Sequence, residues 1–169
     1  MSGRPLFGEK SEGLRRRLLR PWGFRLYLLG KLPLAAGAGL RLVRLDAQEC
    51  VVSLPGGWRT QNPFGSTYFA AQMMAAEMST GAPAMILARG APRSVALILV
   101  EIRAAFSKRI VGSSKYTCAD IAGLAAAVRR ACDQDDPVAF TAGSTARAGD
   151  STVCSSFEAT WSFKRRAEG

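Results

Sequence analysis

The sequence contains no histidine, and this absence excludes a large share of enzyme chemistry. A Ser-His-Asp triad, a histidine general base and a histidine-ligated metal site all need an imidazole group. The four cysteines form no CxxC pair, so neither a zinc motif nor a redox motif is predicted. We interpret Cys50, Cys118, Cys132 and Cys154 as reduced core side chains of a cytoplasmic protein. We expect neither a metal site nor a cofactor.

Long apolar runs are also missing. No stretch of about 20 uninterrupted apolar residues exists, which argues against a membrane-spanning helix. A cleaved signal peptide is not favoured, because Pro21, Lys31 and Pro33 interrupt the apolar segment near the N-terminus. The hydrophobic content of 48% over 169 residues is nevertheless sufficient for one domain with a substantial core.

The net charge of +10 is concentrated near the N-terminus. Residues 1–31 carry eight basic side chains against Glu9 and Glu12, which gives this segment a charge of +6. Such a segment could contact an anionic membrane surface or phosphate groups, or it could be a solvated helix face that maintains solubility. Nucleic-acid binding is not favoured, because few stacking aromatics lie among the basic residues. We treat residues 1–34 as a basic tail with helices and residues 35–169 as a single domain.

Hydrophobic periodicity predicts a mixture of helices and strands along the chain. A loose tail over 1–13 is expected to precede a helical turn at 14–20 and a helix at 22–32, with Trp22, Leu26 and Leu29 on one side. A bend at 35–39 then leads to a strand pair at 40–46 and 49–54, ended by the turn Pro55-Gly56-Gly57. Further strands are predicted at 95–110, 113–120, 138–145 and 152–164, with a short helix at 121–132.

The segment between these strand groups is the most informative part of the sequence. It begins at Asn62-Pro63-Phe64-Gly65 and stays almost uniformly apolar to Gly81, with Glu77 as its single carboxylate. We predict a helix over 65–80, about 24 Å long, closed by Gly81 and Pro83. One face of this helix carries Phe69, Met73, Ala76, Glu77 and Thr80.

A helix that is apolar on nearly every face must be enclosed by the rest of its domain. Because the remaining elements are mostly strands joined by short turns, we expect an antiparallel sheet that curls around the helix, an α+β arrangement. A carboxyl group inside such a helix is costly unless it is paired, neutralised or used. Glu77 is therefore the first candidate for chemistry.

These residues resemble the hotdog-fold acyl-CoA thioesterases of the phenylacetate-pathway type, in a bacterial branch of that superfamily. Asn62 falls on the Asn/Gln position of that motif, Gly65 on its first glycine and Glu77 on its carboxylate. Tyr68-Phe69-Ala70 stands where the family has His-Gly-Gly. The resemblance covers roughly residues 35–164. It implies a hotdog fold with one long buried helix and, in this chain, extra N-terminal helices.

The resemblance also implies an activity, namely hydrolysis of an acyl-CoA or another acyl thioester in a homodimer or homotetramer whose cleft lies between two subunits. Coenzyme A would enter only as part of the substrate. By this likeness Glu77 would be the general base or nucleophile, the Phe69 N–H an oxyanion donor, and Asn62 the residue that positions the water or thioester. Substrate contacts are expected from Gly65, Tyr68, Met73 and Thr80.

Each of these roles has an alternative. Glu77 could line a ligand site without catalysis, or be an inert protonated core acid. Asn62 could simply cap N–H groups of a turn, and Tyr68 and Met73 could serve only in packing. The alternative function is a non-catalytic module that binds acyl-CoA or lipid, with a basic N-terminus at a membrane surface. Candidate partners for coenzyme A phosphates are Arg103, Lys108, Arg109, Arg129 and Arg130.

Overall fold

Helices and strands occupy most of residues 6–167, the part of the chain that a computed structural model describes. The helices are α1 (Glu9–Leu19), α2 (Pro21–Lys31), α3 (Pro33–Ala38), α4 (Phe69–Gly90) and α5 (Ile121–Asp133). The strands are β1 (Arg41–Leu45), β2 (Cys50–Leu54), β3 (Val95–Phe106), β4 (Ser114–Cys118), β5 (Val138–Ala148) and β6 (Val153–Arg165). The predicted strands and the predicted helix at 121–132 are all present, with ends shifted by a few residues.

The six strands form one antiparallel sheet in the order β1-β2-β4-β5-β6-β3, with α4 packed against its concave face. Strand β6 shows why the sheet encloses the helix. Its alternate residues Phe157, Ala159, Trp161 and Phe163 are buried, and the residues between them lie on the outer side. The α+β class and the hotdog arrangement, a curved antiparallel sheet around one long helix, are confirmed.

The central helix is longer than the sequence suggested, and both predicted ends were wrong. It begins at Phe69 rather than at residue 65, because residues 62–67 form a hydrogen-bonded turn. It then continues through Gly81 and Pro83 to Gly90, a length of about 33 Å. Pro83 removes only one helical N–H, while the apolar residues that follow it, Ala84, Ile86 and Leu87, are buried. The burial of these three side chains therefore outweighs the tendency of Gly81 and Pro83 to end the helix.

The N-terminal helices cover the extension of α4. Helix α1 packs on α4, and the Tyr27 hydroxyl of α2 lies 3.3 Å from the sulfur of Met85. The expected loose tail was wrong for residues 9–13, which belong to α1, whereas residues 1–5 lie outside the described part of the chain. The predicted bend at 35–39 was also wrong, since α3 runs to Ala38 and ends at Gly39 with a φ of 79°.

Helix α2 forms where it was predicted, with Trp22, Leu26 and Leu29 on one side of it. Those three side chains are exposed, and Phe24 and Leu28 on the opposite face pack into the core. Within residues 6–167, no helix combines the length and apolar character needed to cross a bilayer.

All four cysteines are buried and free, as the sequence indicated. Cys50 and Cys118 are cross-strand neighbours on β2 and β4. Burial raises the pKa of the Cys118 thiol to about 11 and that of Cys50 well above its ordinary range. Both side chains are therefore neutral thiols at physiological pH, with little nucleophilic character.

Candidate functional site

Two polar contacts fix the rotation of α4 about its axis. The Gln72 amide donates to the Thr67 carbonyl at 3.2 Å and accepts from the Ser155 hydroxyl on β6 at 2.8 Å. About two turns further on, the Ser79 hydroxyl lies 2.8 Å from that of Ser144 on β5. Buried hydrogen bonds of this kind tolerate little displacement, so one side of the helix is held against β5 and β6.

The side of α4 that is not held this way carries several of its partly buried residues. Ala70, Met73, Met74 and Glu77 are only partly buried, although nearly all of the helix around them is inaccessible. Their spacing places them along one strip of the helix surface. Glu77 is the single charged group of this strip, and the remaining members are apolar.

The Glu77 carboxyl lies against Gly81 and the indole of Trp161. A Cβ placed on Gly81 would approach Glu77 Oε1 to 2.8 Å and Trp161 Cζ2 to 2.9 Å, so both groups border the same spot. The indole is held in place because its Nε1 donates to Thr80 Oγ1 at 3.0 Å. That hydroxyl in turn donates to the Glu77 carbonyl oxygen at 3.0 Å.

The contacts of Thr80 favour a structural role over the predicted substrate contact. Its side chain is fully buried, and its hydroxyl already takes part in one bond as an acceptor and in another as a donor. A substrate contact by Thr80 is therefore not supported by the structure. The hydroxyl instead orients Trp161, which forms one wall beside the carboxyl.

Burial raises the pKa of Glu77 above its ordinary value. Desolvation is the cause, since the charged form loses hydration without gaining a partner. Within the described residues the carboxyl has no hydrogen bond and no ion pair, and its oxygens remain solvent-accessible. A carboxyl with a raised pKa that is still reachable from solvent is suited to accept and return a proton.

An apolar wall lies beside this strip on edge strand β3. Leu99 pairs with Trp161 across the sheet, and Leu97, Leu99 and Ile102 are only partly buried against the core. Phe106, near the end of the strand, is about half exposed and packs edge-on against Phe157 at 5.7 Å. The carboxyl is thus placed next to uncovered apolar surface.

The N-terminus of α4 offers free backbone donors. The Thr67 and Tyr68 N–H groups are occupied, donating to the carbonyls of Ile110 and Thr60 at 2.8 and 2.7 Å. The Phe69 and Ala70 N–H groups have no acceptor anywhere in residues 6–167. The partial positive charge of a helix N-terminus favours an anion there. The Tyr68 and Phe69 rings are both partly exposed and pack edge-on with centroids 4.8 Å apart.

Asn62 shapes the turn that precedes the helix. Its Oδ1 accepts from the backbone N–H groups of Phe64 and Ser66 at 3.0 and 3.1 Å, and its Nδ2 donates to the Ser66 hydroxyl at 3.0 Å. Gly65 completes the turn with a φ of 72°, where a side chain would be strained. These contacts favour the turn-capping alternative for Asn62.

A basic side chain is attached to the same turn. Arg109, which follows β3, donates from Nη2 to the Phe64 carbonyl at 2.7 Å. Of the other cationic candidates, Arg103 pairs with Glu101 at 3.0 Å, and Arg129 and Arg130 lie exposed on α5. Arg109 is therefore the candidate that the structure ties to the N-terminal end of α4.

The contacts that fix the rotation of α4 and the position of Trp161 were not predicted from the sequence. They involve Gln72, Ser79, Ser144, Ser155 and Trp161. A signal was present, because Gln72 and Ser79 are seven positions apart and share a helix face. Ser155 and Trp161 likewise fall in the inward-facing set of β6. The sequence does not show how α4 is aligned against β5 and β6, and that alignment determines which of these side chains are in contact.

Comparisons with known proteins agree with this architecture. Residues 21–152 match the model of a family described as "Domain of unknown function (DUF4442)". No curated protein is significantly similar to the sequence.

Solved structures with a similar fold include three bacterial proteins. A Pseudomonas aeruginosa protein of unknown function, described as a probable thioesterase, has a TM-score of 0.70 at 17% identity, covering 87% of this chain and 97% of its own. A Haemophilus influenzae thioesterase has a TM-score of 0.62 at 13% identity, covering 85% and 90%. A Staphylococcus aureus thioesterase has a TM-score of 0.58 at 11% identity, covering 78% and 98%.

At these identities the likeness establishes the hotdog fold and nothing finer. Two structures of the Staphylococcus aureus protein carry alanine substitutions, one of a glutamine and the other of a glutamate fifteen positions further on. The same interval separates Asn62 from Glu77.

Proposed function

Since this chain belongs to the DUF4442 family and has the hotdog fold of thioesterases, we propose that it hydrolyses an acyl thioester at Glu77. One observation carries this proposal. A carboxyl with a raised pKa, and with no partner among the described residues, lies on a partly buried strip of a helix that is mostly inaccessible. A purely structural acid in this position would be expected to have a hydrogen-bond partner.

The chemistry needs a proton acceptor and an oxyanion donor. As a general base, the Glu77 carboxylate takes a proton from water while the water oxygen attacks the thioester carbonyl carbon. The resulting oxyanion accepts a hydrogen bond from the Phe69 N–H, and the carbon–sulfur bond then breaks. The departing thiolate receives the proton from Glu77. As a nucleophile, the Glu77 carboxylate would instead attack the carbonyl carbon and expel the thiolate as the carbon–sulfur bond breaks, which forms a mixed anhydride. Water then hydrolyses the anhydride, releasing the fatty or other carboxylic acid and regenerating Glu77.

We propose that the two groups come from different subunits. Phe69 and Glu77 are eight residues apart on one helix, so about 12 Å of rise separates them. An oxyanion donor must lie about 3 Å from the oxygen, and the base must reach the attacking water at the same carbon. Edge strand β3, unpaired on one side within the described chain, with Ile98 and Val100 exposed, offers a surface for a second copy. We propose a homodimer that joins Glu77 of one subunit to the Phe69 N–H of its partner.

The proposed substrate is an acyl thioester of coenzyme A. Met73, Met74 and the partly buried leucines of β3 provide an apolar surface suited to the acyl group. Arg109 lies beside the turn before α4, near the free N–H groups, and could pair with a phosphate. The interval between Asn62 and Glu77 equals the fifteen-residue interval between the two residues substituted in the Staphylococcus aureus thioesterase.

The test is release of free thiol from a panel of acyl-CoA thioesters, comparing the wild-type chain with Glu77→Gln. We expect turnover with at least one acyl class and a loss of about two orders of magnitude or more in the variant, because glutamine can neither accept the proton nor attack. Glu158→Gln is the matched control, since Glu158 is exposed on the outer side of β6.

The outcomes separate the proposal from its alternative. Equal turnover by wild-type protein and Glu77→Gln would remove Glu77 from the mechanism. Thermal stabilisation by an acyl-CoA with no thiol release from any thioester would instead identify a non-catalytic binding module.

A further inference from the structure

Helix α2 presents an apolar face to solvent. Trp22, Leu26 and Leu29 follow one another at helical spacing, and their side chains are 77%, 60% and 56% exposed. The opposite face, with Phe24 and Leu28, already packs into the core. Leu34 on α3, the next helix, is also 77% exposed, so several large apolar side chains of these two helices face solvent.

A second tryptophan joins this surface from the sheet. Trp58, which follows β2, is 84% exposed and lines a groove of about 830 Å³ together with Trp22. The same groove is lined by the cationic side chains of Arg25, Arg41 and Arg59. The Arg59 guanidinium lies 5.8 Å from the centre of the Trp58 ring. Aromatic and cationic groups are therefore interleaved on one side of the molecule.

The charge around this surface has a single sign. Between Glu12 and Asp46 the sequence contains eight basic side chains and no acidic one. Arg17, Arg20, Arg25 and Lys31 are all exposed, and none of them forms an ion pair with another described residue. The surface is thus complementary to a negatively charged partner.

We propose that α2, α3 and the Trp58 segment dock the protein on the surface of an anionic lipid bilayer. A helix lying in the bilayer plane buries tryptophan and leucine side chains below the headgroups while arginine and lysine contact lipid phosphates. The leucine row distinguishes this partner from a nucleic acid, which would use the arginines but leave the leucines in water. Docking needs no spanning helix and does not depend on thioester hydrolysis.

The experiment is co-sedimentation of the full chain with vesicles, without any substrate. Phosphatidylcholine vesicles are compared with vesicles that also contain phosphatidylglycerol, at low and at high salt. We expect binding to the anionic vesicles only, weakened by salt because the lipid phosphates are screened. The double substitution Trp22→Ser and Trp58→Ser should weaken binding by about tenfold or more, as should Arg17→Gln with Arg20→Gln.

Two controls keep the result specific. Arg129→Gln with Arg130→Gln removes the same charge from α5 and should leave vesicle binding unchanged. A variant with Trp22 and Trp58 both replaced by phenylalanine retains Trp161, which is only 6% exposed, and its emission should not shift with vesicles. In the wild-type chain the emission should shift to the blue.

Three outcomes of the vesicle measurements would overturn the proposal. They are absence of vesicle binding, equal binding to neutral and anionic vesicles, and equal weakening by the α5 control. A change in solution mass on Trp22→Ser with Trp58→Ser, measured without lipid, would assign this face to contact between copies of the chain instead.

Discussion

Glu77 and Trp161, 84 positions apart in the sequence, meet at one spot above Gly81. The carboxyl oxygen and the indole edge leave no room there for a methyl group. The indole is fixed by its bond to Thr80, whereas the carboxyl is the end of a flexible side chain and can move. The absence of a side chain at Gly81 therefore leaves the space that the carboxyl of Glu77, the proposed catalytic group, occupies.

The first prediction concerns Gly81→Ala. The new Cβ would lie 2.8 Å from Glu77 Oε1 and 2.9 Å from Trp161 Cζ2, so the carboxyl must shift and the indole must be strained. We expect a loss of about 1–3 kcal/mol in the free energy of unfolding, which is typical of overpacking. We also expect a lower kcat for thioester hydrolysis. Urea unfolding and thiol release measure the two effects.

Gly30→Ala is the matched control for this substitution. Gly30 is also helical, and nothing lies within 4 Å of the position its Cβ would take. Alanine has the higher helix propensity by about 1 kcal/mol, so this variant should be as stable as the wild type or more stable. Stabilisation by Gly81→Ala with unchanged kcat would contradict the close contact at Glu77.

Gly81 also illustrates which features of the fold could be predicted from the sequence and which could not. Periodicity found the strands, the buried helix and the single carboxyl inside it, because these features repeat locally. It took Gly81 and Pro83 as a helix end, since the packing of Trp161 on Gly81 is a contact between distant segments. The sequence likewise did not determine which face of α2 is buried. Both faces of that helix are apolar, and only the tertiary structure determines that Phe24 and Leu28 are buried.

The second prediction is a pH dependence of stability. Burial raises the pKa of Glu77 above 4.5, so above the raised pKa the folded protein holds a poorly solvated carboxylate that the unfolded chain solvates freely. The free energy of unfolding attributable to this group therefore decreases as the pH rises through that range. Glu77→Gln should be more stable than the wild type at pH 7.5. The difference should shrink as the pH falls towards 4.5, because the carboxyl becomes protonated in the folded state.

Thermal melting of the two proteins across pH 4.5 to 8 measures this difference. Glu158→Gln, which replaces an exposed carboxyl, should show no such trend. In the wild type, kcat/KM for a thioester should rise with pH through the same range, because only the carboxylate form is active. A destabilised Glu77→Gln at neutral pH would mean that the carboxyl has a stabilising partner in solution.

The third prediction separates coenzyme A from the acyl group. Arg109 contacts the turn before α4 and is proposed to bind a phosphate, so Arg109→Gln should raise KM for acyl-CoA by about tenfold. The KM for the corresponding N-acetylcysteamine thioester, which carries no phosphate, should stay the same. The comparison also controls for damage to the turn, because a displaced turn would affect both substrates.

Arg129→Gln serves as the charge control for this measurement. Arg129 is exposed on α5 and makes no contact with the turn before α4 in the described residues. The KM values of the Arg129→Gln variant for acyl-CoA and for the N-acetylcysteamine thioester should match those of the wild type. An equal rise in KM for both thioesters in Arg109→Gln would indicate that Arg109 shapes the turn and does not bind coenzyme A.

The fourth prediction tests the site shared between subunits, using Phe69→Pro to remove the proposed oxyanion donor. Proline is well tolerated at the first position of a helix, and Tyr68 already has φ and ψ values of −63° and 136°, which suit a residue before proline. We expect kcat to fall by about two to three orders of magnitude with the fold retained. Phe69→Ala, which keeps the N–H, should retain most of the activity.

Mixed dimers then test whether the Glu77 carboxyl and the Phe69 N–H of one site come from the same subunit or from two. If Glu77 of one subunit works with the Phe69 N–H of its partner, a dimer of one Glu77→Gln chain and one Phe69→Pro chain has one intact site. Such dimers, isolated with two different affinity tags, should recover about half of the wild-type activity. If both groups came from the same subunit, every site in the mixed dimer would lack one of them, and activity would stay at the level of the inactive parents. A monomeric protein with full activity would exclude the shared site equally.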